Sequence, residues 1–116
     1  MVGSWRNQAL GRLKPGQMNQ TEARYAQALE LRRQAGDIEW FRFEGITFKL
    51  ADDTRYTPDF AVMRDGGAME MHEVKGHFTD DAKVKIRVAA AQFPFAFVLV
   101  REIPKKNGGG WNLEPI

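Results

Sequence analysis

Hydrophobic and polar positions change their period several times along the chain, and each change marks an element. Asn19-Gln20-Thr21-Glu22 sets a capping side chain ahead of a glutamate three residues on, and predicts a helix to about Ala35, where Gly36-Asp37 stops it. Tyr25, Ala26, Leu29 and Arg33 share a face of that helix with Glu22. From Ile38 the spacing shortens. Trp40, Phe41 and Phe43, then Ile46, Phe48 and Leu50 beyond a bend at Gly45, read as a first strand. Ala51-Asp52-Asp53-Thr54 is turn chemistry, Tyr56 to Met63 a second strand, Asp65-Gly66-Gly67 a second turn, and Ala68 to Gly76 a third strand. Thr79 caps a second helix that carries Asp80 and Asp81 in its first turn and ends near Pro94. Ala82, Ile86, Ala89, Ala90 and Phe93 form one apolar face of it, and Val84, Val88 and Ala91 another, as suits a helix packed between the sheet and something else, such as a second subunit. Phe95 to Ile103 has the apolar run of a buried central strand, and Trp111 to Ile116 is compatible with an edge strand after the turn from Lys105 to Gly110. The order α-β-β-β-α-β predicts an α+β fold, one mixed sheet flanked by helices.

Composition narrows the chemistry. With 116 residues, 43% of them hydrophobic and 28% charged, the chain has the make-up of one ordinary folded domain. It has no cysteine, which excludes disulfides, zinc fingers and thiol nucleophiles and leaves oxygen and imidazole to hold any metal. No apolar run reaches the length of a membrane span and the N-terminus lacks a signal peptide's apolar core, so the expected location is cytoplasmic. The net charge is +2, unevenly spread: residues 1–17 and 104–116 together carry +4, and residues 18–103 carry −2. An acidic body between basic ends suits a domain that holds a cation centrally and meets a polyanion at its edges. The expected organisation is a flexible basic arm over 1–17, a core over 18–103, and a turn with an edge strand over 104–116.

Tyr56-Thr57-Pro58-Asp59-Phe60 and His72-Glu73-Val74-Lys75-Gly76 are the segments that carry chemistry. Glu73 and Lys75 leave one strand face about 7 Å apart. If Asp65-Gly66-Gly67 is a three-residue hairpin loop, Asp59 opposes Glu73, Ala61 opposes Met71, Met63 opposes Met69 and Thr57 opposes Lys75, with opposed side chains about 5 Å apart. A two-residue loop breaks the cluster. Two carboxylates that close repel unless a cation holds them, and Mg²⁺ (or Mn²⁺) takes such carboxylates, with a backbone carbonyl such as that of Val74 as a further oxygen. Lys75 then stands ready to orient the attacking water of a phosphodiester hydrolysis.

Pro58-Asp59, a gap of 13 residues, then Glu73-Val74-Lys75, behind a helix bearing Glu22, resembles the PD-(D/E)XK nuclease superfamily. TEARYAQAL, YTPDF, HEVKG and the helix with Lys85-Ile86-Arg87 look like a phage-borne PD-(D/E)XK family similar to recombination endonucleases and Holliday-junction resolvases. The resemblance covers roughly Asn19 to Val100. It implies a restriction-endonuclease-like core and a Mg²⁺- or Mn²⁺-dependent DNA endonuclease in a phage or prophage context, selective for branched DNA and acting as a homodimer. Asp59 and Glu73 would ligate the metal with Val74, Lys75 would be the catalytic lysine, Glu22 would complete the site, and Lys85 would be a helper cation. Lys83, Lys85, Arg87 and His77 are the candidate DNA contacts.

Plainer readings stand beside these. Glu73 and Lys75 suit a solvated ion pair, and Glu22 sits where a capping-box glutamate belongs. His72 is expected half-buried on the opposite face, opposite Phe60, and neither histidine has zinc-ligand spacing. Trp40, Phe41, Phe43 and Phe48 read as core; Trp111 suits base stacking or strand packing. No phosphate-binding glycine loop is present, so no nucleotide cofactor is expected. The alternative functions are a catalytically inactive protein of this fold that binds nucleic acid or a phage partner, and an unrelated α+β interaction domain.

Overall fold

A computed structural model of the chain describes residues 16–75 and 80–116. The expected arm falls almost wholly outside those residues, as do Gly76, His77 and the Thr79 cap. Helix α1 (Gln20–Gln34) starts at a capping box in which Asn19 Oδ1 accepts from Glu22 N at 2.8 Å and Glu22 Oε1 accepts from Asn19 N at 2.9 Å. It ends at Ala35, ahead of Gly36 at φ 84°. The strands are β1 (Ile38–Phe43), β2 (Phe48–Ala51), β3 (Thr54–Tyr56), β4 (Phe60–Arg64), β5 (Met69–Val74), β6 (Ala96–Glu102) and β7 (Trp111–Pro115), and α2 (Asp80–Gln92) joins β5 to β6. The fold is α+β, with a five-stranded mixed sheet in the order β1-β4-β5-β6-β7 in which only β5 and β6 run parallel.

The first two expected strands are each broken in two. The chain leaves the main sheet after Phe43, where Glu44 takes φ 50°, and returns at Phe60 after the buried Pro58; β2 and β3 pair between these points as a separate small sheet. Proline cannot donate to a ladder, so the break falls at Pro58. A second irregularity lies inside β1, between Ile38 and Trp40. That bulge moves Trp40 off the core face on which Ile38, Phe41 and Phe43 pack, which is why Trp40 stays 37% exposed and is not the core residue expected.

The hairpin joining β4 and β5 keeps the three-residue loop. Arg64 N donates to Ala68 O at 2.7 Å across Asp65–Gly67, Gly66 and Gly67 both have positive φ, and the ladder pairs Phe60 with His72, Ala61 with Met71 and Met63 with Met69. Side-chain alternation then gives each sheet face its own core. Tyr25 and Leu29 of α1 cover Phe60, Val62, Val74, Val98 and Val100; Ile86 and Ala89 of α2 pack with Phe48, Leu50 and Tyr56 of the small sheet over Ala61, Met71 and Phe97. Each fully buried aliphatic or aromatic side chain contributes about 1.5–3 kcal/mol. Of the second apolar face of α2, Val88 packs against that core, and Val84 is exposed.

On the α1 face His72 is completely buried, deeper than expected. Its Nδ1 lies 2.6 Å from Tyr25 Oη and its Nε2 2.9 Å from Glu70 Oε1, and Arg64 Nη1 reaches Glu70 Oε2 at 3.0 Å. Burial holds the imidazole below its ordinary pKa, so Nε2–H donates to Glu70 and Nδ1 accepts from the tyrosine. Trp111 of β7 packs edge-on against Tyr25, with ring centroids 4.9 Å apart, so of its two readings strand packing is the one seen.

Candidate metal and phosphodiester site

The site forms where the β4–β5 ladder stops. One step beyond the Phe60–His72 pair, Asp59 Oδ2 accepts from Val74 N at 2.8 Å, while the Asp59 carbonyl accepts from Glu44 N at 2.8 Å on the β1 side. A side chain has taken the place of a backbone acceptor. Continuing the register would set Pro58 opposite Val74, and proline has no N–H to give the Val74 carbonyl. The Lys75 N–H turns the other way, to Val100 O at 2.7 Å, so alternation directs the Val74 carbonyl to the Asp59 side. Pro58 thus ends the ladder, leaves the Val74 carbonyl without its ladder donor and fixes the next residue's carboxylate beside it. Thr57 does not reach a position opposite Lys75; its Oγ1 lies 2.8 Å from Thr47 Oγ1 at the base of the small sheet.

Glu73 sits on the α2 face of β5, level with Leu99 of β6. Its Oε1 accepts from Tyr56 Oη at 2.6 Å. Burial holds the Asp59 carboxyl well above the usual range, with the charges of Glu73, Glu22 and Glu44 adding to the effect and the Val74 N–H opposing it. Burial likewise pushes Glu73 up to about 7, with Glu22 and Glu44 adding and the Tyr56 hydroxyl opposing. Tyr56 itself is pushed well up by its burial and by Glu73.

Of the sequence candidates, Asp59, Glu73 and the Val74 backbone converge, and Glu22 lies within electrostatic range of both acids while capping α1. Lys75 continues the β5 face and lines a cleft with Lys83 and Arg87 of α2. Lys85 is not among the lining residues and pairs with Asp81 at 3.7 Å. His77 lies outside the described residues.

Two contributors escaped the sequence reading. A continuous strand from Tyr56 to Met63 would put Tyr56 and Asp59 on opposite faces; the break at Thr57–Pro58 turns both toward Glu73. Glu44 signalled only a bend with Gly45, yet its side chain accepts from Gly16 N at 2.8 Å and its charge reaches both acids.

A family model described as "Protein of unknown function (DUF1064)" matches residues 18–102. The chain belongs to the DUF1064 family. No curated protein and no solved structure matches it. The DUF1064 match runs from just before α1 to the last residue of β6, so all four acids of the site and Lys75 lie inside it, and β7 lies beyond it.

The donors of this DUF1064 site fit a hard divalent cation. All are oxygens; partial burial and the surrounding carboxylate charges raise both acids, Glu73 and Glu22 acting on Asp59 and Glu22 and Glu44 on Glu73, a cost that a cation between them would remove. Among the described residues no three His, Asp or Glu side chains converge as a metal-binding group. Two carboxylates and a carbonyl still suit Mg²⁺, which keeps waters and takes substrate phosphate oxygens. No helix among the described residues is long and apolar enough to cross a membrane.

Proposed function

We propose that the protein is a Mg²⁺- or Mn²⁺-dependent DNA endonuclease of PD-(D/E)XK type. The observation that carries this reading is the pairing of two half-buried, mutually repelling carboxylates, Asp59 and Glu73, at the end of a ladder whose next residue on the β5 face is Lys75. Asp59, Glu73 and the Val74 carbonyl would hold the ion. When bound, it neutralises charge that builds on the phosphate. The Val74 N–H and the Tyr56 hydroxyl each fix one carboxylate oxygen. Lys75 supplies a cation beside the attacked phosphodiester and orients water toward phosphorus. Water adds across the P–O bond, leaving a phosphate monoester and an alcohol. Glu22 and Glu44 add negative charge that favours cation capture.

The resemblance to recombination endonucleases favours branched DNA in a bacterial cytoplasm, cut by a homodimer because a symmetric junction needs two centres. The test is cleavage of labelled four-way junction, flap, single-stranded and duplex DNA with Mg²⁺ or Mn²⁺, with light scattering to weigh the active species. Wild type should cut a branched substrate, and Glu73→Gln should lose at least about a hundredfold in rate. Binding without cutting in every metal would sink the nuclease reading in favour of an inactive nucleic-acid-binding protein.

A further inference from the structure

Lys75 does not stand alone at the edge of the acids. A cleft of about 400 Å³ opens between α2 and the β6–β7 pair, with Lys75, Lys83, Arg87 and Arg101 on its walls and Ile86 and Leu99 in its lining. Among the described residues neither Lys83 nor Arg87 makes an ion pair. The one acid in the lining is Glu114, whose Oε1 lies 3.5 Å from Arg101 Nε and 3.1 Å from Asn112 Nδ2. Four cations against one acidic side chain give the lining an excess of positive charge, led by Lys83 and Arg87, that attracts a polyanion.

We propose that this cleft holds an unpaired DNA strand at the carboxylate site, with Arg87 and Arg101 on its phosphates and Glu114 as the competing carboxylate that occupies Arg101 until a phosphate displaces it. The volume lies at the small end of ligand-sized pockets and seats about one nucleotide, whereas the major groove of a duplex is already ~12 Å wide. Cations at the rim track a backbone, and the aliphatic lining packs a sugar or base edge. Arg101 is the residue no sequence motif singled out. It reaches the cleft because β5 and β6 run parallel in register, which aligns Leu99 with Glu73 and brings Arg101 two residues on along the same face.

The proposal rests on the nuclease reading only for where the strand leads, and its test is separate. Binding of fluorescent oligo-dT and of a blunt duplex is measured in EDTA across a salt series, so that nothing is cut. Arg87→Ala and Arg101→Ala should each weaken oligo-dT binding several-fold and flatten the log–log salt slope by about 0.7, one single-strand phosphate contact each. Glu114→Gln should tighten it, and Lys49→Ala on β2 should leave it unchanged. Unchanged affinity and slope in both arginine variants would overturn the proposal, as would an equal loss in Lys49→Ala. A blunt duplex bound as tightly as oligo-dT with the same arginine dependence would overturn the assignment to an unpaired strand. Arginine-dependent binding with no cutting in metal would leave this inference standing and remove the nuclease; cutting with both arginines dispensable would do the reverse.

Discussion

Tyr56 shows how much one hydroxyl can set. It donates to Glu73 and so favours the ionised acid, against burial that drives the carboxyl up to about 7. Tyr56→Phe keeps the ring in the core formed with Phe48, Leu50 and Ile86 and removes only that donor. Glu73 should then ionise at a higher pH. The acid limb of the metal-dependent rate should move up with the fold intact, read from a pH–rate profile beside a circular dichroism spectrum. A limb that stays in place would mean that Glu73 is not the group whose ionisation limits the reaction. The residues flanking Asp59 follow the same logic of single groups. Pro58 was visible in the sequence as half of a motif, but its structural part is the N–H it lacks.

At the scale of elements, α1 is tied to the sheet through polar groups as well as apolar ones. Tyr25, His72, Glu70 and Arg64 form a chain of hydrogen bonds from α1 through β5 to β4, its centre wholly buried. Tyr25→Phe leaves His72 Nδ1 without a donor and should cost about 1–3 kcal/mol, measured as a lower urea midpoint at unchanged m-value. The helix itself was legible, from the Asn19–Glu22 cap to Gly36, and so was the β4–β5 register, because loop length and glycine placement fix hairpin parity. The split of two long strands into four short ones was not. Local alternation between Ile38 and Leu50 reads the same whether the strand is continuous or bent, and the bend at Glu44 depends on partners far along the chain. Asp59 and Glu73 were legible as a pair for the same parity reason; Tyr56 and Glu44 were hidden because each enters the site through a break in alternation.

For the whole molecule, the titrations of the half-buried Glu73 and the buried His72 oppose each other. Glu73 is raised from its ordinary 4.5, so its stabilising contribution is full below that value and is lost as pH rises toward about 7. Asp59 shifts in the same direction. His72 is lowered from 6.5, so its contribution is full above 6.5 and declines as pH falls through its folded value. Metal-free protein should therefore melt highest in the weakly acidic range and lose melting temperature on both sides. Millimolar Mg²⁺ should raise the melting temperature at pH 8 and leave it unchanged at pH 5, where the acids hold their protons. Thermal melts in EDTA and in Mg²⁺ across that range check both statements; an equal Mg²⁺ effect at both pH values would detach the ion from these carboxylates.

The bond from the Val74 amide to Asp59 makes that carboxylate a strut as well as a charge. An acid already locked in one rotamer gives up almost no conformational freedom when an ion arrives, so the site is preorganised by the same contact that closes the ladder. Charge and strut are separable by substitution. Asparagine can keep the acceptor and lose the charge; alanine loses both and lets the end of β5 fray. A site built this way has its oxygen geometry set when β4 pairs with β5, so a cation that arrives later would meet a finished seat.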